Sequence, residues 1–181
     1  MLGGLITKIL GFLIRIVYTR MVGNDAISLY SLVMPTYSLL LTIATLSLPI
    51  VISKLISENK HKSIKIISNA TLITLILNIL VIIIIYFTKD FIANTLLHDE
   101  RCSILLMAMA LTFPFVSISS ILKGYFYGKQ KMLPHTISNI IEQIVRIALI
   151  FLLIPNLINK GVVYSVMGLI LISIASELSS I

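Results

Sequence analysis

Charge is scarce in this sequence: charged residues make up 12 % of its 181 positions, against 58 % hydrophobic. With a mean hydropathy of +1.08, a chain of this composition cannot keep its surface in water without aggregating, so a soluble domain is excluded and the bilayer must be the solvent. Cysteine is nearly absent. Cys102 is the sole one, which rules out a disulfide within the chain and a thiolate metal site. Acidic residues number seven and do not cluster, no paired-Asp motif occupies a joint, and His61, His98 and His135 are isolated from one another. Nothing here assembles a divalent-metal centre of the kind that polyprenyl-phosphate enzymes need. The expectation is therefore a protein that is not an enzyme, with no metal and no cofactor. The net charge of +7 does not point to nucleic acid, because the basic residues are scattered among interhelical joints rather than gathered with aromatics on one face.

Apolar segments fill nearly everything else. A membrane helix needs roughly 20 apolar residues, and the sequence predicts about six such helices, over 5–22, 27–56, 66–88, 104–127, 134–153 and 161–181. The fold class expected is all-α, a polytopic membrane bundle. The first segment is no signal peptide, since Lys8, Arg15 and Arg20 interrupt it and no small-x-small site follows. Gly23-Asn24-Asp25 closes it as a turn. Pro35 and Pro49 in the second helix predict kinks, tolerable where neighbours satisfy the freed carbonyls. The joint after helix two holds Lys54, Glu58, Lys60, Lys62 and Lys65, and the joint after helix four holds Lys123, Lys129 and Lys131. The other joints lack a basic excess, so the positive-inside rule puts these two, and with them the N-terminus, in the cytoplasm.

Within the membrane the polar residues are few and patterned. Gly4, Lys8, Gly11, Arg15 and Tyr18 recur at three- and four-residue spacing and share one helix face. A mid-span Arg or Lys costs roughly 2.5–3.5 kcal/mol, whereas each Leu, Ile, Phe or Val gains only about 0.3–0.6. With about ten such apolar residues, this helix is marginal by itself, and its basic face must meet other helices, an aqueous cavity or an anion. Lys8 and Arg20 lie near the ends and can snorkel to the interface; Arg15 is too central for that. Helix five carries Ser138, Asn139, Glu142, Gln143 and Arg146. Glu142 and Arg146, four apart with the acid first, suit an ion pair along one face, or a cavity wall in which Arg146 holds a phosphate when Glu142 releases it. The candidate cavity residues are thus Lys8, Arg15, Glu142, Gln143 and Arg146. Asn69 and Asn78 suit interhelical hydrogen bonds, and Gly124-Tyr125-Phe126-Tyr127-Gly128 has small-xxx-small packing spacing.

Taken together, several runs resemble the multidrug/oligosaccharidyl-lipid/polysaccharide exporter superfamily, and within it the group of stage V sporulation protein B and polysaccharide-biosynthesis proteins. They are Lys8-Ile9-Leu10-Gly11-Phe12 with Arg15, Thr19-Arg20-Met21-Val22-Gly23 with Leu29-Tyr30, Leu48-Pro49-Ile50-Val51-Ile52-Ser53-Lys54-Leu55, Leu122-Lys123-Gly124-Tyr125-Phe126-Tyr127-Gly128-Lys129-Gln130, and Ile141-Glu142-Gln143-Ile144-Val145-Arg146. The resemblance covers the whole chain. It implies the N-terminal lobe of a two-lobed flippase, truncated at the sixth helix, that moves lipid-linked saccharides of the polyprenyl pyrophosphate type across the cytoplasmic membrane by alternating access. The implied partners are that cargo, membrane lipids and a second chain supplying the C-terminal lobe. Related lipid II flippases place basic residues of the first helix in the central cavity, which maps onto Arg15. They also carry charges in the second helix, whereas Ile27 to Ser53 has none, which argues against lipid II itself as cargo. The competing readings are the lobe of a cation-coupled multidrug exporter, which needs accessible membrane carboxylates, and a non-transporting membrane assembly subunit.

Overall fold

The protein is seen in a computed structural model that describes residues 2–45, 48–58 and 63–181. Eight α-helices follow one another: α1 Leu2–Val22, α2 Asn24–Thr45, α3 Leu48–Glu58, α4 Ser63–Phe91, α5 Arg101–Ala110, α6 Phe113–Gly128, α7 Met132–Ile158 and α8 Val162–Ser180. A π-helical turn, Ile92–Leu96, extends α4. There is no strand among the described residues, and the architecture is an all-α polytopic bundle. Among the described residues, α2 with α3, 63–96, 101–128, 133–158 and 162–180 make five stretches long and apolar enough to cross a membrane. Helix α1 is of comparable length but carries Lys8, Arg15 and Arg20.

The prolines separate into two kinds. Pro114 stands in the first turn of α6 and Pro49 is the second residue of α3, positions where a backbone N–H has no helical acceptor and nothing is lost. The run expected as one helix over 104–127 therefore breaks at Leu111 and Thr112. The run expected over 27–56 is α2 and α3, with Leu46 and Ser47 between them outside the described residues. Pro35 and Pro155 lie inside helices. The helix expected to stop at Leu153 continues through Pro155 to Ile158, although Pro155 leaves the Phe151 carbonyl without its helical donor. Gly23 takes φ +83° between α1 and α2, a left-handed turn that glycine adopts without strain.

Lipid offers no hydrophobic drive for helices to associate, so close backbone approach and hydrogen bonds must hold them. A Cβ on Gly124 would sit 2.9 Å from the Pro49 carbonyl oxygen, and one on Gly128 would sit 2.8 Å from that of Ser53. The small-xxx-small pair thus seats α6 directly on α3. Asn78 of α4 donates to Ser117 of α6 at 2.9 Å, while Asn69 is exposed. Tyr37 of α2 meets Thr112 at 3.0 Å; Thr112 already gives its hydroxyl hydrogen to the Met109 carbonyl, so the tyrosine is the donor. Apolar clusters complete the packing: Leu29 and Val33 of α2 with Leu105 and Met109 of α5 and Val166 and Ile170 of α8, and Tyr18 of α1 with Ile150 and Ile154 of α7 and Leu169 and Ile172 of α8. Cys102 is a free, buried thiol in the first of these.

Candidate substrate cavity

A cavity of about 730 Å³ opens between α1, α2, α7 and α8. Each helix contributes residues at three- and four-residue intervals, as one face of a helix must. Gly11, Ile14, Arg15, Tyr18 and Thr19 come from α1; Ile27, Tyr30, Ser31, Met34, Pro35 and Ser38 from α2; Arg146 and Ile150 from α7; Leu169, Ile172 and Ser173 from α8. Arg15, Thr19, Ser31, Pro35 and Ser38 are exposed, whereas Tyr18, Ile150, Leu169 and Ile172 are buried and form the floor. The rings of Tyr18 and Tyr30 meet edge to face, with centroids 5.8 Å apart.

The wall has one sign of charge. Arg15 and Arg146 are both on it, and no carboxylate is among its described lining residues. Arg15 makes no ion pair among the described residues. Three of the lining hydroxyls are spent alike: Thr19 donates to the Arg15 carbonyl at 2.7 Å, Ser31 to that of Ser28 at 2.9 Å and Ser38 to that of Pro35 at 2.8 Å. With their hydrogens spent on the backbone, these oxygens offer lone pairs. Pro35, having no N–H, also leaves the Ser31 carbonyl without its α-helical donor.

Behind the cavity, where α6, α7 and α8 meet, lies a cluster of charges. Arg146 Nη2 donates to Glu142 Oε1 at 2.6 Å and Arg146 Nε to Ser176 Oγ at 3.1 Å. Lys123 Nζ approaches Glu177 Oε1 at 3.4 Å. Both carboxylates are buried. Lys123, expected in a cytoplasmic joint, thus sits within α6 and gives Glu177 its partner. Further along α7, Asn139 Nδ2 lies 3.2 Å from His135 Nε2. An amide NH₂ only donates, so Nε2 accepts and Nδ1 carries the hydrogen. That Nδ1 is buried without a partner, as is Gln143 Oε1.

Of the residues singled out from the sequence, Arg15 and Arg146 come together on the cavity wall. Glu142 stands behind it, holding Arg146; Gln143 and Lys8 are not on it, and Lys8 is exposed. Ser31, Met34 and Ser38 line the cavity without having been singled out. On α2, Tyr30 had been named only within a family-like run and Pro35 only as a kink. A smaller hollow at the α4–α5 joint has Lys89, Asp90, Glu100 and Ser103 on its wall, with Lys89 paired to Asp90 at 3.2 Å. No group of three or more His, Cys, Asp or Glu placed to hold a metal ion occurs among the described residues.

Residues 1–181 match the family described as polysaccharide biosynthesis protein. Similar curated proteins from Bacillus subtilis (strain 168) include stage V sporulation protein B, 35 % identical over 98 % of this chain and 35 % of its own length. The uncharacterized membrane protein YabM is 33 % identical over 88 % of this chain and 30 % of its own length. The lipid II flippase MurJ is 29 % identical over 91 % of this chain and 33 % of its own length. The chain spans about a third of the length of these relatives. No solved structure matches.

Proposed function

The chain belongs to the polysaccharide biosynthesis protein family, and on that premise we propose that it forms one lobe of a flippase for lipid-linked saccharides, with the cavity as the seat of an anionic head group. The observation that carries this reading is the placing of Arg15 and Arg146 on the lining of one cavity, with the nearest carboxylate, Glu142, behind Arg146 and off the described lining. A lipid pyrophosphate cannot take its charge through hydrocarbon unaided; fixed cations in a cavity replace the hydration it loses. The same wall offers hydroxyl and carbonyl lone pairs to the O–H groups of a saccharide, and the Tyr18–Tyr30 pair offers an aromatic face. The apolar tail stays in the lipid, against the exposed aliphatic surface of the bundle. Alternating access rocks one set of helices against another, so the cavity works against a second lobe, from a second chain or from the further length that the relatives have. The basic joints of the sequence support a cytoplasmic N-terminus.

A cation-coupled exporter of cationic drugs would need a carboxylate facing its cargo, and the carboxylates here are turned behind the wall onto Arg146 and Lys123. The decisive experiment is translocation of a prenyl-pyrophosphate-linked saccharide in liposomes carrying the native product. Arg15→Ala and Arg146→Ala are each expected to slow it about tenfold or more, the loss of one charge-assisted hydrogen bond. Unchanged rates in both variants would overturn the reading.

A further inference from the structure

Arg146 can serve the cavity it lines with only part of its guanidinium. Its Nε and Nη2, which form one of the two edges that grip a phosphate bidentately, are occupied by Ser176 and Glu142. To turn that edge to a cargo, Arg146 must leave Glu142, and Glu142 is only 7 % exposed. The charged groups around this carboxylate are few. On its own helix there is Arg146; from α8 comes Glu177, a like charge; from α6 comes Lys123, already drawn to Glu177 at 3.4 Å. Helix α1, packed along α7, brings Arg15 to the cavity wall instead. Once Arg146 departs, Lys123 is the one cation left near Glu142 among the described residues, and Glu177 holds it. A buried carboxylate stripped of its partner is costly enough that it is neutralised by a proton instead.

We propose that Glu142 is a proton-binding site linked to the cavity: as Arg146 swings to an anionic cargo, Glu142 takes up a proton from water, so that cargo and proton bind together. This deepens the reading of the cavity as an anion site and rests on it. The proton adds to a carboxylate oxygen; no other bond is made or broken but the hydrogen bond that Arg146 gives up. A route is present. His135, Asn139 and Glu142 follow at intervals of four and three on one face of α7, leading from its first turn toward the cluster. The unpartnered, buried His135 Nδ1 and Gln143 Oε1 beside that file are polar atoms of the kind that buried water serves.

The test is calorimetric titration of the full chain in lipid nanodiscs with farnesyl pyrophosphate, in buffers of differing ionisation enthalpy, comparing the native protein with Glu142→Gln. The native protein should take up about one proton more per ligand than the variant. Beyond the probe's own titration, its affinity should fall about tenfold per pH unit as pH rises, while that of Glu142→Gln stays level. Infrared difference spectra should show a protonated carboxyl band on adding the probe to the native protein. Equal proton counts in both proteins, or no carboxyl band in the native one, would overturn the inference and leave the anion cavity standing. A count lost in Glu177→Gln rather than in Glu142→Gln would overturn the assignment to Glu142. Failure of the native protein to bind the probe would sink the cavity reading itself, and this inference with it.

Discussion

Helices α4 and α7 are nearly equal in length, 29 and 27 residues, and treat polarity in opposite ways. On α4, Leu72, Ile76, Ile79, Ile83 and Phe87 are exposed as a lipid-facing surface, and Asn78 turns inward to a single hydroxyl, Ser117. On α7, Leu133, Ile137, Ile141, Ile144 and Phe151 are likewise exposed. Its other face carries His135, Asn139, Glu142 and Arg146, joined to charges from two neighbouring helices. One buried amide is enough to lock one helix against another. Glu142, Arg146, Lys123 and Glu177 form a network of four ionisable groups directly behind the cavity wall. A polar residue in a membrane helix is thus read by its company: a lone partner suits packing, and a network beside an open space is the place to test for function.

Substitutions can break this contrast. Glu142→Ala should have the largest effect on stability, about 3 kcal/mol, because it leaves the Arg146 guanidinium without its partner. Unfolding in detergent would show it, and Glu142→Ala/Arg146→Ala should lose less than the two single changes summed. Gly124→Val should follow, at roughly 1–3 kcal/mol from overpacking against Pro49 and Ile52, read as a lower Tm without altered ligand affinity. Asn78→Leu on α4 should cost only about 0.6 kcal/mol, the usual worth of an interhelical hydrogen bond in a membrane. A loss as large as that of Glu142→Ala would erase the distinction between the two helices. Smallest of all is Asp99→Asn in the α4–α5 joint. The Arg101 guanidinium beside Asp99 holds that carboxyl below the usual carboxylate range, so the pair's contribution is present above the ordinary carboxylate pKa and fades as pH falls through the lowered one. For so exposed a pair the change in Tm should lie near the limit of detection.

Much of the bundle was legible because the bilayer leaves so few choices: long apolar runs must be helices. What could not be read was the fate of each proline. Pro35, Pro49, Pro114 and Pro155 carry the same chemistry, and only the helix start chosen by packing decides which of them removes a bond. Arg15 and Arg146 stood out because a charge at mid-span is costly. That the two face one space follows from α1 lying along α7, which no local pattern encodes. Ser31 and Ser38 are uncharged and ordinary in a membrane helix, so they carried no signal. Gly124 and Gly128 had a common spacing whose meaning came only with α3 opposite them.

The central claim is that Arg15 and Arg146 together hold one anion. The measurement that tests it most directly is the affinity of the chain in nanodiscs for a prenyl pyrophosphate, across a double-mutant cycle of Arg15→Ala and Arg146→Ala. Each single change should weaken binding by about 1.5–3 kcal/mol, the worth of a charge-assisted hydrogen bond, and the two should be coupled because they share a ligand. Affinity unchanged in the double variant would contradict the account.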